Sequence, residues 1–330
     1  MKALSTKKEK NKMNTSLIWL GRVVVLIIGL AVVGAIYESV AEAADAKAYP
    51  PPGQLVDVGG YRLHINCTGS GSPTVIIEAG HGDWSTTWGF VQDEVAKTTR
   101  VCTYDRAGMG WSEVGPLPRD AAQFAKELHT LLQEANVPGP YVMVGHSLGG
   151  AAVRVFVHDY ASEVNGVVLI DSMNPGQATQ PHIVAQAQAD PQSQPFSLEA
   201  VLARFGIARL IVKLPAYASR VPANEEAYYP LYVRPQSLQT STNELQGLPA
   251  SLAQAAAVKT FGDLPLIVLT AKLNDLQGWP EWQSELLQLS SNSQHLFAEN
   301  SGHTIQVDQP DAAVAAILNM VELVRQSIQK

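Results

Sequence analysis

From residue 54 onward the chain alternates short apolar runs with longer stretches of helical period, and few architectures satisfy that pattern. The runs fall at residues 74–77, 101–104, 141–144, 167–170, 266–269 and 294–298. Strands that are apolar along their whole length are buried on both faces, and helices between them supply the cover. The expectation is an α/β domain, a mostly parallel sheet with helices on either side. Residues 120–135 place Phe124, Leu128, Leu131 and Leu132 at helical spacing. Residues 311–329 do the same with Val314, Ile317, Leu318, Val321 and Val324. Ahead of all these, residues 54–67 read as a hairpin broken at Gly59-Gly60.

The alternation lapses between residues 174 and 259, a stretch rich in Ala and Gln with an amphipathic patch over 198–214. It reads as a mainly helical insertion that divides the core into residues 54–173 and 260–330. Long insertions after sheet strands commonly become lids over active sites, and inert surface is the plainer alternative. No fixed-period repeat is present.

The amino terminus follows a different logic. Lys2, Lys7, Lys8, Lys10 and Lys12 precede an apolar run over 17–37 whose single charge is Arg22. About 20 apolar residues cross the hydrocarbon, and the basic flank stays in the cytoplasm. Residues 1–46 are therefore either a membrane anchor or a signal peptide cleaved near Ala41 and Ala43, or near Ala44 and Ala46. Both readings export the remainder, and the membrane is a partner only if the helix stays uncleaved. Residues 47–53, with three consecutive prolines, form a stiff linker.

Hydrophobic residues make up 46% of the chain and charged residues 16%, which excludes disordered and collagen-like classes. Beyond residue 46 there are 17 basic and 26 acidic side chains. So acidic a body offers phosphate backbones nothing, and no nucleic-acid partner is expected. Cys67 and Cys102 are the only cysteines. With no C-x-x-C or Cys/His cluster a zinc site has little support, and in an oxidising compartment the two can pair or remain buried thiols.

The chemistry centres on Gly145-His146-Ser147-Leu148-Gly149, a G-x-S-x-G directly after the 141–144 run and before a helical pattern over 151–158. Such an elbow exposes the serine hydroxyl on a strained turn, and its glycines let backbones approach closely. Serine needs a histidine to take its proton, and that histidine needs a carboxylate. His303, in Ser301-Gly302-His303 after the last strand, is the best base. His146 should point elsewhere, and His64, His129, His158 and His295 fall on elements that suit surface or core roles. His81 and His182 remain candidate pocket residues. Two aspartates compete for the acid. Asp171 ends the 167–170 strand at the sheet edge where ligands gather, and it is preferred; Asp275, in the loop after 266–271, is the alternative.

The order Ser, Asp, His, the elbow, and Tyr104-Asp105-Arg106-Ala107-Gly108-Met109-Gly110-Trp111-Ser112 resemble the α/β-hydrolase fold superfamily over residues 54–328. The Y-D-x-x-G-x-G-x-S turn, and S-G-H followed by D-Q-P, are similar to those of the branch with proline iminopeptidases, epoxide hydrolases and haloalkane dehalogenases. The resemblance implies an eight-stranded, mostly parallel sheet with an inserted helical cap. Many members carry the acid after strand seven, where this chain has Asn274, one residue before Asp275. Dehalogenases carry it after strand six, which matches Asp171, but their nucleophile is a carboxylate where this chain has Ser147.

The resemblance further implies that the second strand lies antiparallel beside the fourth, which predicts a Cys67–Cys102 disulfide. It implies an oxyanion hole made of the Leu148 N–H and a second N–H after strand three. Strand-end alignment selects Gly80 for that donor, and the literal H-G pair selects Asp83. The expected activity is that of an exported serine hydrolase cleaving a carboxylic ester through an acyl-enzyme. Aminopeptidase action on an amide, with Glu225-Glu226 meeting the substrate amine, is the rival, and a solvated acidic turn is the plainer reading of that pair. A non-catalytic binding protein of the same fold is the remaining alternative. Nucleophile, base and donors all come from the chain, so no metal or organic cofactor is expected.

Overall fold

A computed structural model describes residues 2–187, 190, 192–212 and 229–328. The strands are β1 (Gln54–Asp57), β2 (Arg62–Thr68), β3 (Thr74–Glu78), β4 (Val101–Tyr104), β5 (Tyr141–His146), β6 (Val164–Ile170), β7 (Leu266–Ala271) and β8 (Ser293–Ala298). The described helices are α1 (Lys2–Ala48), α2 (Gly89–Ala96), α3 (Ala121–Glu134), α4 (Leu148–Asp159), α5 (Pro181–Gln186), α6 (Leu198–Ala203), α7 (Ile207–Val212), α8 (Tyr229–Tyr232), α9 (Pro235–Ala257), α10 (Trp279–Leu286), α11 (Ile305–Asp308) and α12 (Pro310–Ile328).

The strands form one sheet in the order β1-β2-β4-β3-β5-β6-β7-β8. The β1–β2 and β2–β4 pairs are antiparallel and the remaining pairs parallel. This is the mixed eight-stranded α/β-hydrolase sheet that the sequence led one to expect. Side chains of a strand point alternately to its two faces, so each apolar run feeds two cores. Met143, Val167, Leu169, Leu266 and Val268 join Phe124, Leu131 and Phe156 on one side. Val142, Val144, Val168, Ile170, Ile267 and Leu269 meet Trp88, Val95, Ile317 and Val321 on the other. An uninterrupted apolar run is what this two-sided burial requires.

The register sets Cys67 opposite Cys102 on β2 and β4, and a disulfide joins them. The Gly59-Gly60 hairpin forms as well: both residues take positive φ, and both donate N–H groups to Asp57 Oδ1. Asp120 caps α3 by accepting from the Gln123 N–H.

Two boundaries differ from the sequence expectation. The 198–214 patch is not one helix, because Gly206 turns the chain at φ 74° between α6 and α7; its last two positions lie outside the described residues. At the amino terminus, helix α1 runs on past residue 46 to Ala48. Beyond it, the Trp111 indole N–H donates to the Tyr49 carbonyl, so the start of the linker is tied to the core. The described part of residues 174–259 is mainly helical, and α9 lies against the start of α3, where Ser251 Oγ accepts from the Ala121 N–H.

Candidate active site

β5 ends at His146 and α4 begins at Leu148, with Ser147 between them at φ 52° and ψ −122°. A non-glycine residue holds such a conformation only where its surroundings fix it. The Ser147 N–H donates to the Ile170 carbonyl, and the Ser147 carbonyl accepts from Gly150 and Met173 N–H groups. Gly149 is required by proximity, because a Cβ there would stand 2.4 Å from the Glu78 carbonyl oxygen.

The Ser147 hydroxyl donates to His303 Nε2 at 2.9 Å, and the His303 Nδ1–H donates to Asp171 Oδ2 at 2.7 Å. This bonding pattern assigns the neutral ring's proton to Nδ1. The three residues come from the ends of β5 and β6 and from the loop between β8 and α11, so the parallel sheet gathers them at its carboxyl edge. Asp171 is fully buried and itself takes a positive φ of 40°. Its other contacts are the Ala271 N–H at 2.9 Å and the Trp279 indole N–H at 2.7 Å, both on Oδ1, and the Asn274 amide at 2.8 Å on Oδ2. Together with His303 these fill the carboxylate's roughly four acceptor sites.

Asp275, by contrast, is exposed, while Asp171 holds His303 Nδ1. The loop after β7 turns the Asn274 amide toward Asp171. The Asp83 N–H is likewise engaged, donating to the Gly80 carbonyl at 3.2 Å as part of a turn. Gly80 lies against the elbow, where an added Cβ would come 3.3 Å from Ser147 Cβ. Leu148 opens α4, so its N–H has no acceptor within the helix.

The remaining histidines divide by place. His81 Nε2 lies 2.9 Å from the Ser241 carbonyl on α9 and so ties the loop after β3 to the insertion. His64 is buried 2.9 Å from Asp105, His129 stacks on Tyr160, His158 pairs with Asp159 at the surface, and His295 lies beside Thr270. The His182 side chain and Glu225-Glu226 lie outside the described residues.

Three further groups brace the site in ways the sequence did not assign to them. His146 donates from Nε2 to the His303 carbonyl at 2.9 Å, with Gln306 Nε2 3.4 Å from its Nδ1. Burial, then the nearby His303, pushes the His146 pKa down to about 3, so this ring is a neutral strut beneath the base. Trp279 stands edge-on to the His303 ring at 5.5 Å. Arg106, 2% exposed, reaches the Gly80 and Ala79 carbonyls, Glu78 and, from α9, Glu244. Glu244 also accepts the Gly82 N–H at 2.9 Å. Burial pushes Glu244 up, yet Arg106 outweighs it and holds the carboxyl below its ordinary range. The Y-D-R turn carried the signal for Arg106; no spacing rule pointed to Trp279. Among the described residues no group of three His, Cys, Asp or Glu side chains is placed to hold a metal ion.

A sheet of this order with a serine elbow and a histidine at its carboxyl edge defines a hydrolase fold. The family model described as the alpha/beta hydrolase family matches residues 69–317, and the chain belongs to that family. YqjL, an uncharacterized protein of Bacillus subtilis, is 28% identical over 257 residues, covering 76% of this chain and 85% of that protein. A protein named as a probable transporter, efuK, of Hormonema carpetanum is 36% identical over 126 residues. That match covers 36% of this chain and spans only 18% of the efuK protein. Among solved structures, the epoxide hydrolase CorEH aligns at TM-score 0.61 and 20% identity, covering 81% of this chain and 97% of that one. An esterase of Thermogutta terrifontis aligns at TM-score 0.54 and 21% identity, covering 82% and 98%. At these identities the two structures speak to fold alone.

Proposed function

We propose that the protein is an exported serine hydrolase that cleaves carboxylic esters through an acyl-enzyme. The observation that carries this reading is the run of hydrogen bonds from Ser147 to His303 to Asp171. Ser147 Oγ attacks the ester carbonyl as its proton passes to His303 Nε2, and Asp171 stabilises the imidazolium that forms. Negative charge on the carbonyl oxygen is met by the Leu148 N–H and a donor at Gly80, worth a few kcal/mol each in the transition state. His303 then protonates the leaving alcohol, and water activated by the same ring releases the acid.

Aspartyl-ester chemistry of the dehalogenase kind has no nucleophile here, because a hydroxyl stands at the elbow. An aminopeptidase needs a free carboxylate for the substrate amine. Glu225-Glu226, the pair expected to meet it, lie outside the described residues, and Glu244, the buried acid of α9 near the site, is taken by Arg106 and the Gly82 N–H. Export is supported by the basic flank ahead of the apolar run and by the disulfide, which persists in oxidising compartments. A panel of p-nitrophenyl esters run beside aminoacyl anilides tests the assignment. Ester turnover that vanishes in Ser147→Ala is expected, and turnover confined to the anilides would overturn the ester reading.

A further inference from the structure

Helix α1 does more than reach toward the folded body: one of its faces is docked on the inserted helices. Along the apolar run its side chains are exposed, as at Leu26 (62%) and Leu30 (63%). From Ala31 a covered stripe begins, continuing through Gly34, Ala35, Glu38, Ala41, Glu42 and Asp45 at the spacing of one helix face. The turn between α6 and α7 fills that stripe. A Cβ on Gly34 would stand 2.5 Å from the Phe205 carbonyl oxygen, and one on Gly206 would stand 2.6 Å from the Tyr37 ring. Only glycines permit backbones this close. Above them Arg209, 7% exposed in its side chain, reaches Glu38 at 2.7 Å and Asp45 at 2.6 Å.

Depth follows from these contacts. The apolar run over 17–37 is about 30 Å long at 1.5 Å per residue, so the hydrocarbon ends near Tyr37. Gly34 lies three residues below that level, about 4.5 Å deeper, and Phe205 touches it there. The same turn presents an exposed Arg204, and Leu210 follows at 60% exposure. An exposed arginine in the turn that touches Gly34 and Tyr37 suits the headgroup boundary, where it reaches phosphate.

We propose that the α6–α7 turn sits in the membrane interface beside α1, so that the inserted helices are seated on the bilayer above the site. The proposal rests on the reading that α1 is a retained anchor. Cleavage near Ala43 or Ala46 would remove Glu38 and leave Arg209 without that buried partner, which is strongly destabilising.

The two native cysteines are joined, so an introduced cysteine is a unique thiol for a nitroxide label. The full chain, reconstituted in phosphatidylcholine–phosphatidylglycerol vesicles, is labelled singly in Arg204→Cys, Leu210→Cys, Leu30→Cys and Phe90→Cys. Accessibility to oxygen is compared with accessibility to a water-soluble nickel complex. The seated arrangement predicts that the oxygen-to-nickel ratio at 204 and 210 is several-fold above that at Phe90, the exposed core control, and approaches that at Leu30. Ratios at 204 and 210 equal to Phe90, with Leu30 in lipid, overturn the seating and leave the anchor intact. A mature chain lacking residues 1–46, or a water-exposed Leu30 label, overturns the anchor reading and the seating with it.

Discussion

Asn274 donates its side-chain amide to Asp171 Oδ2 at 2.8 Å, so the loop after β7 meets the proposed acid with an amide. Asp275, one residue later, is in solvent. Asp171→Asn is expected to lower kcat on the order of 10³- to 10⁴-fold, because the amide favours the wrong imidazole tautomer. Asp275→Asn should stay within about twofold of wild type, as surface substitutions do. Steady-state ester hydrolysis by the two variants checks this, and equal small losses would discredit Asp171.

Trp279 supplies the buried N–H on the other carboxylate oxygen and also faces the His303 ring. Trp279→Phe keeps the aromatic packing and deletes the donor. A hydrogen bond to a charged group contributes about 1.5–3 kcal/mol, so kcat should fall roughly 10- to 100-fold. The indole's contacts are with Asp171 and the His303 ring, so a purely positioning role predicts an unchanged KM. A rise in KM at constant kcat would contradict this positioning role.

The sequence showed the sheet more fully than it showed the site. Uninterrupted apolar runs such as 141–144 and 266–269 announce two-sided burial, and every run became a strand. β6 begins three residues earlier than its run, at Val164, because Asn165 and Gly166 interrupt the apolar pattern while the backbone still pairs with β5 across a register shift that passes over Asn165. Ser147 and His303 were legible as candidates because each sits in a recognisable local motif, G-x-S-x-G after an apolar run and S-G-H ahead of the last helix. The contacts of His146 and Trp279 were not, and Arg106 stood out only as part of the Y-D-R turn, since those contacts join segments far apart in the chain, which periodicity cannot express. The docking of α1 was hidden for the same reason: Gly34 looks like any small residue of an apolar helix until Phe205 lies against it.

His146 makes stability depend on pH. Its folded pKa of about 3 lies below the unfolded 6.5, so the folded state binds fewer protons between those values. The stability it supports is present above pH 6.5 and is lost as pH falls toward 3, at about 1.4 kcal/mol per unit from this one group. Urea unfolding between pH 4.5 and 7.5 should show the decline. His146→Gln, which cannot titrate, should flatten it, and an unchanged slope would assign the acid sensitivity elsewhere.

The disulfide closes a loop across the antiparallel β2–β4 pair, its ends 35 positions apart in sequence. Loop closure of that length contributes about 4 kcal/mol by restricting the unfolded chain. The Cys67→Ala/Cys102→Ala variant should lose stability of that order in denaturant while retaining ester turnover at low temperature. Equal stability of variant and oxidised wild type would remove the bridge from the account.

The central claim is that the hydroxyl at the elbow is the nucleophile. A fluorophosphonate probe reacts with a serine whose proton has an acceptor and whose developing oxyanion has donors. The folded wild-type protein should label at one site, mapping by peptide mass to Ser147, with labelling abolished in Ser147→Ala and strongly slowed in His303→Ala. Folded wild type that takes up no probe, or Ser147→Ala that labels like wild type, would contradict the account.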